Sequence, residues 1–452
     1  MVPKGPGCIG CPLHAQSGQS MCPDLIREQA PLMIAAQGPG EDEIREGQPK
    51  VGKTGQQQAR YFMPKAGVTR ADVSLSNVIR CRWRQSNDLP PVDSVLFRQA
   101  AKHCNQAYGH IPEGCKLILA EGDYAAYHHT GEKVGGDPSD SWRGYIRPHI
   151  SSPGYGEEYS TIWSPSKDQL PVLVTQHTAY LFHNPAWQPI LLRDWGKAAR
   201  YLAGTWPRQS PIPNISPPEV MPQTFSFDTE FSGSRLTRWS AADRGGTVWV
   251  VEASNKFVPL LKPDTRIITQ NALADIGFLT KVFGEGIEAS VEDTMLAHAV
   301  LFSDLPHNLN FLGSIYSSMN RWKHLGYQVL DGNWIPQGDH TQQVTYSGAD
   351  AWGTLEVWHA LEAEFARDPS SHFVYRNVML PLVSVIDKAQ RRGMRVQQGR
   401  LAEVQNMLAM TAVDARAMGQ ASVGFPINLA SPSQIADYLY TYLKISPRRK
   451  PG

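Results

Sequence analysis

Asp228 and Glu230 stand two residues apart at the end of an apolar run, Phe225-Ser226-Phe227-Asp228-Thr229-Glu230. On a strand, that spacing puts both carboxylates on one face. Carboxylates so placed repel each other unless a divalent cation sits between them. The pair alone is a weak sign, because exposed strands often carry acids. Two further pairs strengthen it. Thr269-Gln270-Asn271-Ala272-Leu273-Ala274-Asp275 follows a β-type run, Arg266–Ile268, and opens a helix with Asn271 and Asp275 one turn apart. Tyr346-Ser347-Gly348-Ala349-Asp350 sets a phenol and a carboxylate at i and i+4 on one helix face. Scattered surface charge is a poor account of this set. For Asp293, a helix N-cap is the preferred reading.

Thiols form the second reactive group. Cys8-Ile9-Gly10-Cys11 lies near the N-terminus, with Cys81 and Cys104 far downstream. By spacing alone a structural zinc, another metal centre and unrelated thiols all stay open. The first residues lack the apolar core of a signal peptide, which suggests a reducing cytoplasm, bacterial or phage-infected. There the six cysteines read better as metal ligands or buried thiols than as disulfides.

The elements that must position these groups fall into sections. At 452 residues the chain is too long for one core, so two or three domains are expected. Residues 206–222 hold six prolines among small polar residues and read as a semi-rigid linker. Before it, strand-like runs (Leu32–Ala36, Val73–Ile79, Leu117–Leu119, Val172–Thr175) alternate with helical stretches (Val95–Tyr108, Ile190–Leu202), which suggests a parallel α/β sheet. Residues 133–170, rich in Gly, Pro and Ser, are expected to form a surface loop. After the linker, Thr224–Phe227 and Thr247–Glu252 read as paired strands of a mixed sheet, with helices near 272–283, 293–302 and 349–366. Leu380–Arg392 and Gly399–Ala415 read as long amphipathic helices. Formal net charge is +1, so any DNA contact must come from local basic patches. No apolar run is long enough to span a membrane.

The acids, in this order and spacing, resemble the proofreading exonuclease of family A (polymerase I-like) DNA polymerases over about residues 221–367, with Asp293-Thr294-Met295-Leu296-Ala297 and His307–Leu312 as supporting matches. The resemblance implies a ribonuclease H-like mixed sheet and 3′→5′ phosphodiester hydrolysis with two Mg²⁺ or Mn²⁺ ions. It further implies that Asp228, Glu230 and Asp350 hold the first metal and that Asp228 bridges to the second. Asp275 would reach the second metal through water, and Tyr346 would orient the attacking water.

Residues 1–205 are similar to iron–sulfur uracil-DNA glycosylases. The match runs through Cys8-Ile9-Gly10-Cys11-Pro12-Leu13, Gly38-Pro39-Gly40-Glu41-Asp42-Glu43, Gly47-Gln48-Pro49-Lys50-Val51-Gly52-Lys53-Thr54-Gly55, Ser76-Asn77-Val78-Ile79-Arg80-Cys81-Arg82, Trp142-Arg143-Gly144 and Thr175-Gln176-His177-Thr178-Ala179-Tyr180-Leu181. It implies a parallel-sheet α/β/α domain whose Cys8, Cys11, Cys81 and Cys104 hold a structural 4Fe–4S cluster. Arg80, Arg82 and Arg84 would lie near DNA, and Cys22 and Cys115 would be buried or idle. Asn77 would read the uracil edge, and His177 would stabilise the departing anion. The pocket departs from the family pattern: Gln37 replaces its acid, Lys50 its stacking aromatic, and Thr178 its proline. The loss of stacking should cost about 1–3 kcal/mol.

Asn377–Val396 and Pro426–Leu443 resemble the entry to the polymerase portion and the thumb, in a short helical segment over 368–452. No palm or fingers sequence follows, which implies a truncated polymerase or the front half of a split one. The expected organisation is therefore a glycosylase-like domain (1–205), a linker (206–220), an exonuclease (221–367) and a partial thumb. Its expected partners are single-stranded 3′ ends, primer-template DNA and a separate or missing palm and fingers portion. Two alternatives stand beside it: an enzyme that also excises uracil, and a scaffolding subunit with one or both sites silent.

Overall fold

The computed structural model describes all residues except 84–88, 136–140, 152–168, 208–212, 233–234, 256, 285, 331–332, 337 and 447–452. Arg84, part of the Pro-rich linker and much of the expected loop at 133–170 thus lie outside the described residues.

The first sheet follows from four nearly continuous apolar runs, the mark of strands buried on both faces. Its strands are β1 (Leu32–Ala36), β2 (Val73–Asn77), β3 (Leu117–Glu121), β4 (Ile146–Pro148) and β5 (Pro171–Thr175), in the order β2-β1-β3-β5-β4. All pairs are parallel except β5 with the edge strand β4. Leu32, Ile34, Leu119 and Leu173 pack on one face against Phe62 and Trp195, while Met33, Ala35 and Ile118 pack on the other against Phe97 and Ala100. The covering helices are α1 (Val95–Tyr108), α2 (Gly122–Thr130) and α3 (Gln188–Leu202). The segment expected to be a surface loop contains β4, and residues 141–149 are buried. Trp142, Tyr145 and Ile146 supply the apolar surface that holds it inside.

The second sheet has β6 (Thr224–Ser232), β7 (Arg235–Asp243), β8 (Val248–Glu252), β9 (Arg266–Thr269) and β10 (Val291–Asp293), in the order β8-β7-β6-β9-β10. β6, β7 and β8 run antiparallel, while β9 runs parallel to both β6 and β10. The expected pairing of Thr224–Phe227 with Thr247–Glu252 does not occur, because β7 lies between them. Helices α4 (Ala272–Phe283), α5 (Thr294–Leu301), α6 (Leu309–Tyr316) and α7 (His340–Arg367) follow. α7 begins nine residues earlier than expected, at a capping box in which Asp339 and Gln342 exchange hydrogen bonds.

The linker does not leave the two parts free of each other. Asn214 bridges to Trp249, and Val220 to Leu260. Ala126, Tyr145, Val174 and Ile190 of the first part share one core with Phe311, Trp322, Trp352 and Leu355 of the second. The chain divides into two compact units at Asp387, so both sheets belong to the first, Met1–Asp387. The second unit, Lys388–Gly452, contains the helix Gln398–Val423, which buries none of its residues, and a ring cluster of Phe425, Tyr438 and Tyr442.

Candidate functional site

Asp228 and Glu230 lie on the β6 face that meets α7, with Ser226 of the same face donating to the Ala351 carbonyl of that helix at 2.6 Å. Phe225 and Phe227 face the opposite core, where Phe227 stacks on Trp239 and Phe278. The alternation of β6 thus sorts acids from aromatics. α7 brings in Asp350 one turn after Tyr346. Ligand oxygens of Asp228, Glu230 and Asp350 all lie within 4.8 Å of one another, the single such group of three or more acidic, His or Cys ligands among the described residues.

Asp275 enters from the first turn of α4. Asn271 precedes that helix with φ +67°, a left-handed conformation that asparagine tolerates better than most residues. Asp275 is buried and accepts a hydrogen bond from the Thr229 hydroxyl, and it stands outside the three-acid group. Asp293 has the N-cap role expected of it: Oδ1 accepts from the Met295 and Leu296 amides, and its carboxylate also takes those of Asn271 and Ala272.

The acids strain one another electrostatically. Burial, then Asp350, Glu230 and Asp275, push the Asp228 carboxyl well above the ordinary range, and Lys323 opposes them. Asp275 is pushed up to about 7, by burial first and then by Asp293 and Glu230, against hydrogen bonds from Thr229. Crowded hard oxygen donors of this kind fit a divalent cation such as Mg²⁺ or Mn²⁺.

Sequence reasoning missed two members of the centre. Lys323 Nζ donates to Asp350 Oδ1 at 2.7 Å and Oδ2 at 2.9 Å, and to the Tyr346 hydroxyl at 2.7 Å. Trp322 Nε1 donates to Asp350 Oδ1 at 2.7 Å. Both come from the loop 317–325, about 25 residues before Asp350, with no periodicity to mark them.

The first part opens a cavity of about 720 Å³ lined by Gln37, Lys50, Asn77, Cys81, His177 and His183, among others. The three expected base-pocket positions, Gln37, Lys50 and Asn77, therefore line one cavity with His177. Lys50 does not stand loose where the aromatic was expected. It is buried and paired with the fully buried Glu121, which also accepts from Gln58 Nε2 and from the Thr178 hydroxyl, the latter at 3.0 Å. Burial acts to raise the Glu121 carboxyl, but Lys50 and His177 bring it below the ordinary range. The Lys50 backbone has φ +58°, and a Cβ on Gly55 would lie 1.9 Å from its carbonyl oxygen, so the loop closes only over glycine. His177 Nδ1 accepts from the Ala179 amide at 3.1 Å, which leaves Nε2 to carry the proton. Burial, reinforced by Lys50, pushes this imidazole down to about 4, so it is neutral at pH 7.

Cys8, Cys11, Cys81 and Cys104 line one cavity with Lys4, Arg80, His103 and Tyr108. Their sulfurs do not meet the 4.8 Å grouping of a single-ion cage. Four thiols around a common hollow suit an iron–sulfur cluster. Arg80, expected near DNA, turns inward. It is buried, pairs with Asp24 at 2.5 Å, and directs Nη1 to Cys104 Sγ at 3.5 Å. Cys22 is buried and Cys115 half-buried, apart from these four.

Residues 23–202 match the uracil DNA glycosylase superfamily, and residues 218–366 match the family described as 3′-5′ exonuclease. DNA polymerase I of Chloroflexus aurantiacus is 32% identical over 107 residues, 24% of this chain; the chain spans only 11% of that polymerase. The type-4 uracil-DNA glycosylase of Sulfurisphaera tokodaii is 24% identical over 39% of this chain and 72% of its own length. That of Archaeoglobus fulgidus is 31% identical over 19% of this chain and 41% of its own. No described helix is long and apolar enough to cross a membrane. The chain is a fusion of a uracil-DNA glycosylase-like part with a polymerase I-like 3′-5′ exonuclease part.

Proposed function

We propose that the chain removes nucleotides from 3′ ends of DNA in a proofreading role, and that its iron–sulfur glycosylase-like part binds and scans the strand. The observation that carries this reading is the convergence of Asp228, Glu230 and Asp350 within 4.8 Å, beside Tyr346 and Asp275. These carboxylates would hold two Mg²⁺ or Mn²⁺ ions: Asp228, Glu230 and Asp350 the first, Asp228 and Asp275 the second. The ions would supply an activated water and neutralise the leaving oxygen. Lys323 fixes Asp350 and Tyr346 relative to each other, so the phenol can orient a water on the scissile phosphate. A polymerase palm and fingers portion is the proposed partner. The resemblance to polymerase I, of which this chain spans a small share, supports it.

Cys8, Cys11, Cys81 and Cys104 would hold a 4Fe–4S cluster that pins the loops beside the base cavity. A second reading, excision of uracil by this part, is favoured by the cavity itself. Asn77 lines it, and His177 presents a neutral Nε2–H suited to an anionic leaving base.

The test is degradation of 3′-end-labelled single-stranded DNA with Mg²⁺ by the wild type and by the Asp228→Ala, Glu230→Ala double variant. Loss of about 10³-fold or more in the variant is expected, since such metals supply several kcal/mol. Unchanged degradation would refute the assignment.

A further inference from the structure

Asp350 is held by Trp322 and Lys323, and the groups that hold Trp322 in turn come partly from the glycosylase-like part. Trp322 is fully buried. Its indole fills a slot that only glycine leaves open: a Cβ on Gly353 would lie 2.6 Å from ring carbons, and one on Gly313 would lie 2.8 Å away. Tyr145 closes the slot. Its ring meets the indole edge-on, centroids 6.3 Å apart at 86°, and its hydroxyl donates to the Asn310 carbonyl at 2.6 Å. Trp142 lies 4.8 Å from the His324 ring and 4.8 Å beneath the Arg321 guanidinium, so it grips the residues on both sides of Trp322–Lys323.

The loop that carries these two aromatics is bolted in place. Gly144 has φ +78°, and a Cβ there would lie 2.2 Å from the Ser314 carbonyl oxygen, so the backbone rests directly on α6. The buried Lys197 ammonium donates to the carbonyls of Gly144, Ser314 and Ser317 at 2.9, 2.7 and 3.0 Å. Arg143 joins Asp194 at 2.7 Å and also reaches the Ser314 hydroxyl. Charged groups buried and satisfied in this way leave little freedom to slide.

We infer that Trp142 and Tyr145 of the glycosylase-like part are positioning residues of the exonuclease centre, setting Asp350 through Trp322 and Lys323. The inference rests on the exonuclease reading. It makes the first part a component of the nuclease and not merely a companion on the same chain. A misplacement on the order of 1 Å at such a centre can cost up to ~10²-fold in rate.

The test uses the full chain and the variants Tyr145→Leu, Tyr145→Phe and Trp322→Phe. Mn²⁺ affinity is read by electron paramagnetic resonance, and kcat and KM are read on single-stranded DNA. Tyr145→Leu opens the slot and is expected to weaken Mn²⁺ binding and lower kcat about tenfold with KM unchanged. Tyr145→Phe keeps the ring and is expected to retain both. Trp322→Phe removes the N–H and is expected to reproduce the leucine variant, which keeps the inference testable if Tyr145→Leu does not fold. Wild-type Mn²⁺ affinity and kcat in Tyr145→Leu or in Trp322→Phe would overturn the inference, as would equal losses in Tyr145→Phe and Tyr145→Leu. If the wild type itself leaves DNA intact, the exonuclease reading fails, while the Mn²⁺ comparison still decides whether Tyr145 sets the carboxylates.

Discussion

The two sites of this chain handle buried charge in opposite ways. In the exonuclease-like centre, Asp228, Glu230 and Asp350 crowd together beside Asp275, and Lys323 is bonded to Asp350. Burial first, and then neighbouring carboxylates, raise the Asp228 and Asp275 carboxyls. In the glycosylase-like cavity, Lys50 meets Glu121 one to one, and Gln58 and Thr178 also donate to that carboxylate. Surplus negative charge is a demand for a cation. A matched pair asks for nothing further and serves structure. The contrast separates a crowd of carboxylates that suits a divalent cation from a cavity whose buried charge is paired internally.

Removing one side of the matched pair is the harshest way to break the comparison. Lys50→Ala strands a buried carboxylate and is expected to cost about 3–5 kcal/mol, whereas Lys50→Met with Glu121→Leu should cost less, the remainder coming from the Gln58 and Thr178 donors left without their acceptor. Urea unfolding of both variants checks this, and equal losses would mean the pair is not matched.

Acid should act on the two kinds of site with opposite sign. His177 of the cavity and His128, which lies on α2 outside it, are depressed to about 4, by burial first. Below pH 6.5 the unfolded chain takes up protons that these folded imidazoles refuse, so stability falls as pH drops from about 6.5 to about 4. Asp275, raised to about 7, takes its proton before the unfolded chain does, so its region gains stability as pH drops from about 7 toward 4. In EDTA, amide protection factors, with the intrinsic pH dependence of exchange divided out, should fall around α2 and rise around the start of α4 between pH 7 and 5, by about 2 kcal/mol at most for one group.

The mildest effect sharpens the same point. Asp228→Asn removes a charge from the crowded centre and is expected to stabilise the metal-free protein by about 1–2 kcal/mol while abolishing the stabilisation given by Mn²⁺. Thermal melts with and without Mn²⁺ read both quantities.

What could be read in advance divides along physical lines. Continuous apolar runs exposed β1 and β3, and helical stretches and local spacing exposed α1, α4 and the Asp-x-Glu and Tyr-x-x-x-Asp pairs, because these depend on local geometry. β7 was missed because its sequence, Arg235-Leu236-Thr237-Arg238-Trp239-Ser240-Ala241-Ala242-Asp243, mixes polar and small residues, and its burial comes from neighbours on both sides. Lys323 and Trp322 reach Asp350 from a loop, and Glu121 meets Lys50 across 71 residues of sequence. Long-range pairs of this sort leave no periodic trace. Residues 141–149 looked like loop because of the Gly and Pro around them, yet Trp142 and Tyr145 anchor the shared core.

The most direct test of the account uses one 5′-labelled single strand carrying a single uracil, first in EDTA and then with Mg²⁺ restored. The account predicts 3′ shortening that begins only with Mg²⁺ and is absent in the Asp228→Ala, Glu230→Ala variant. A break at the uracil on alkali treatment after the EDTA step would add excision by the first part. Shortening in EDTA, or a full-length strand after Mg²⁺ is restored, would contradict the assignment of the carboxylates.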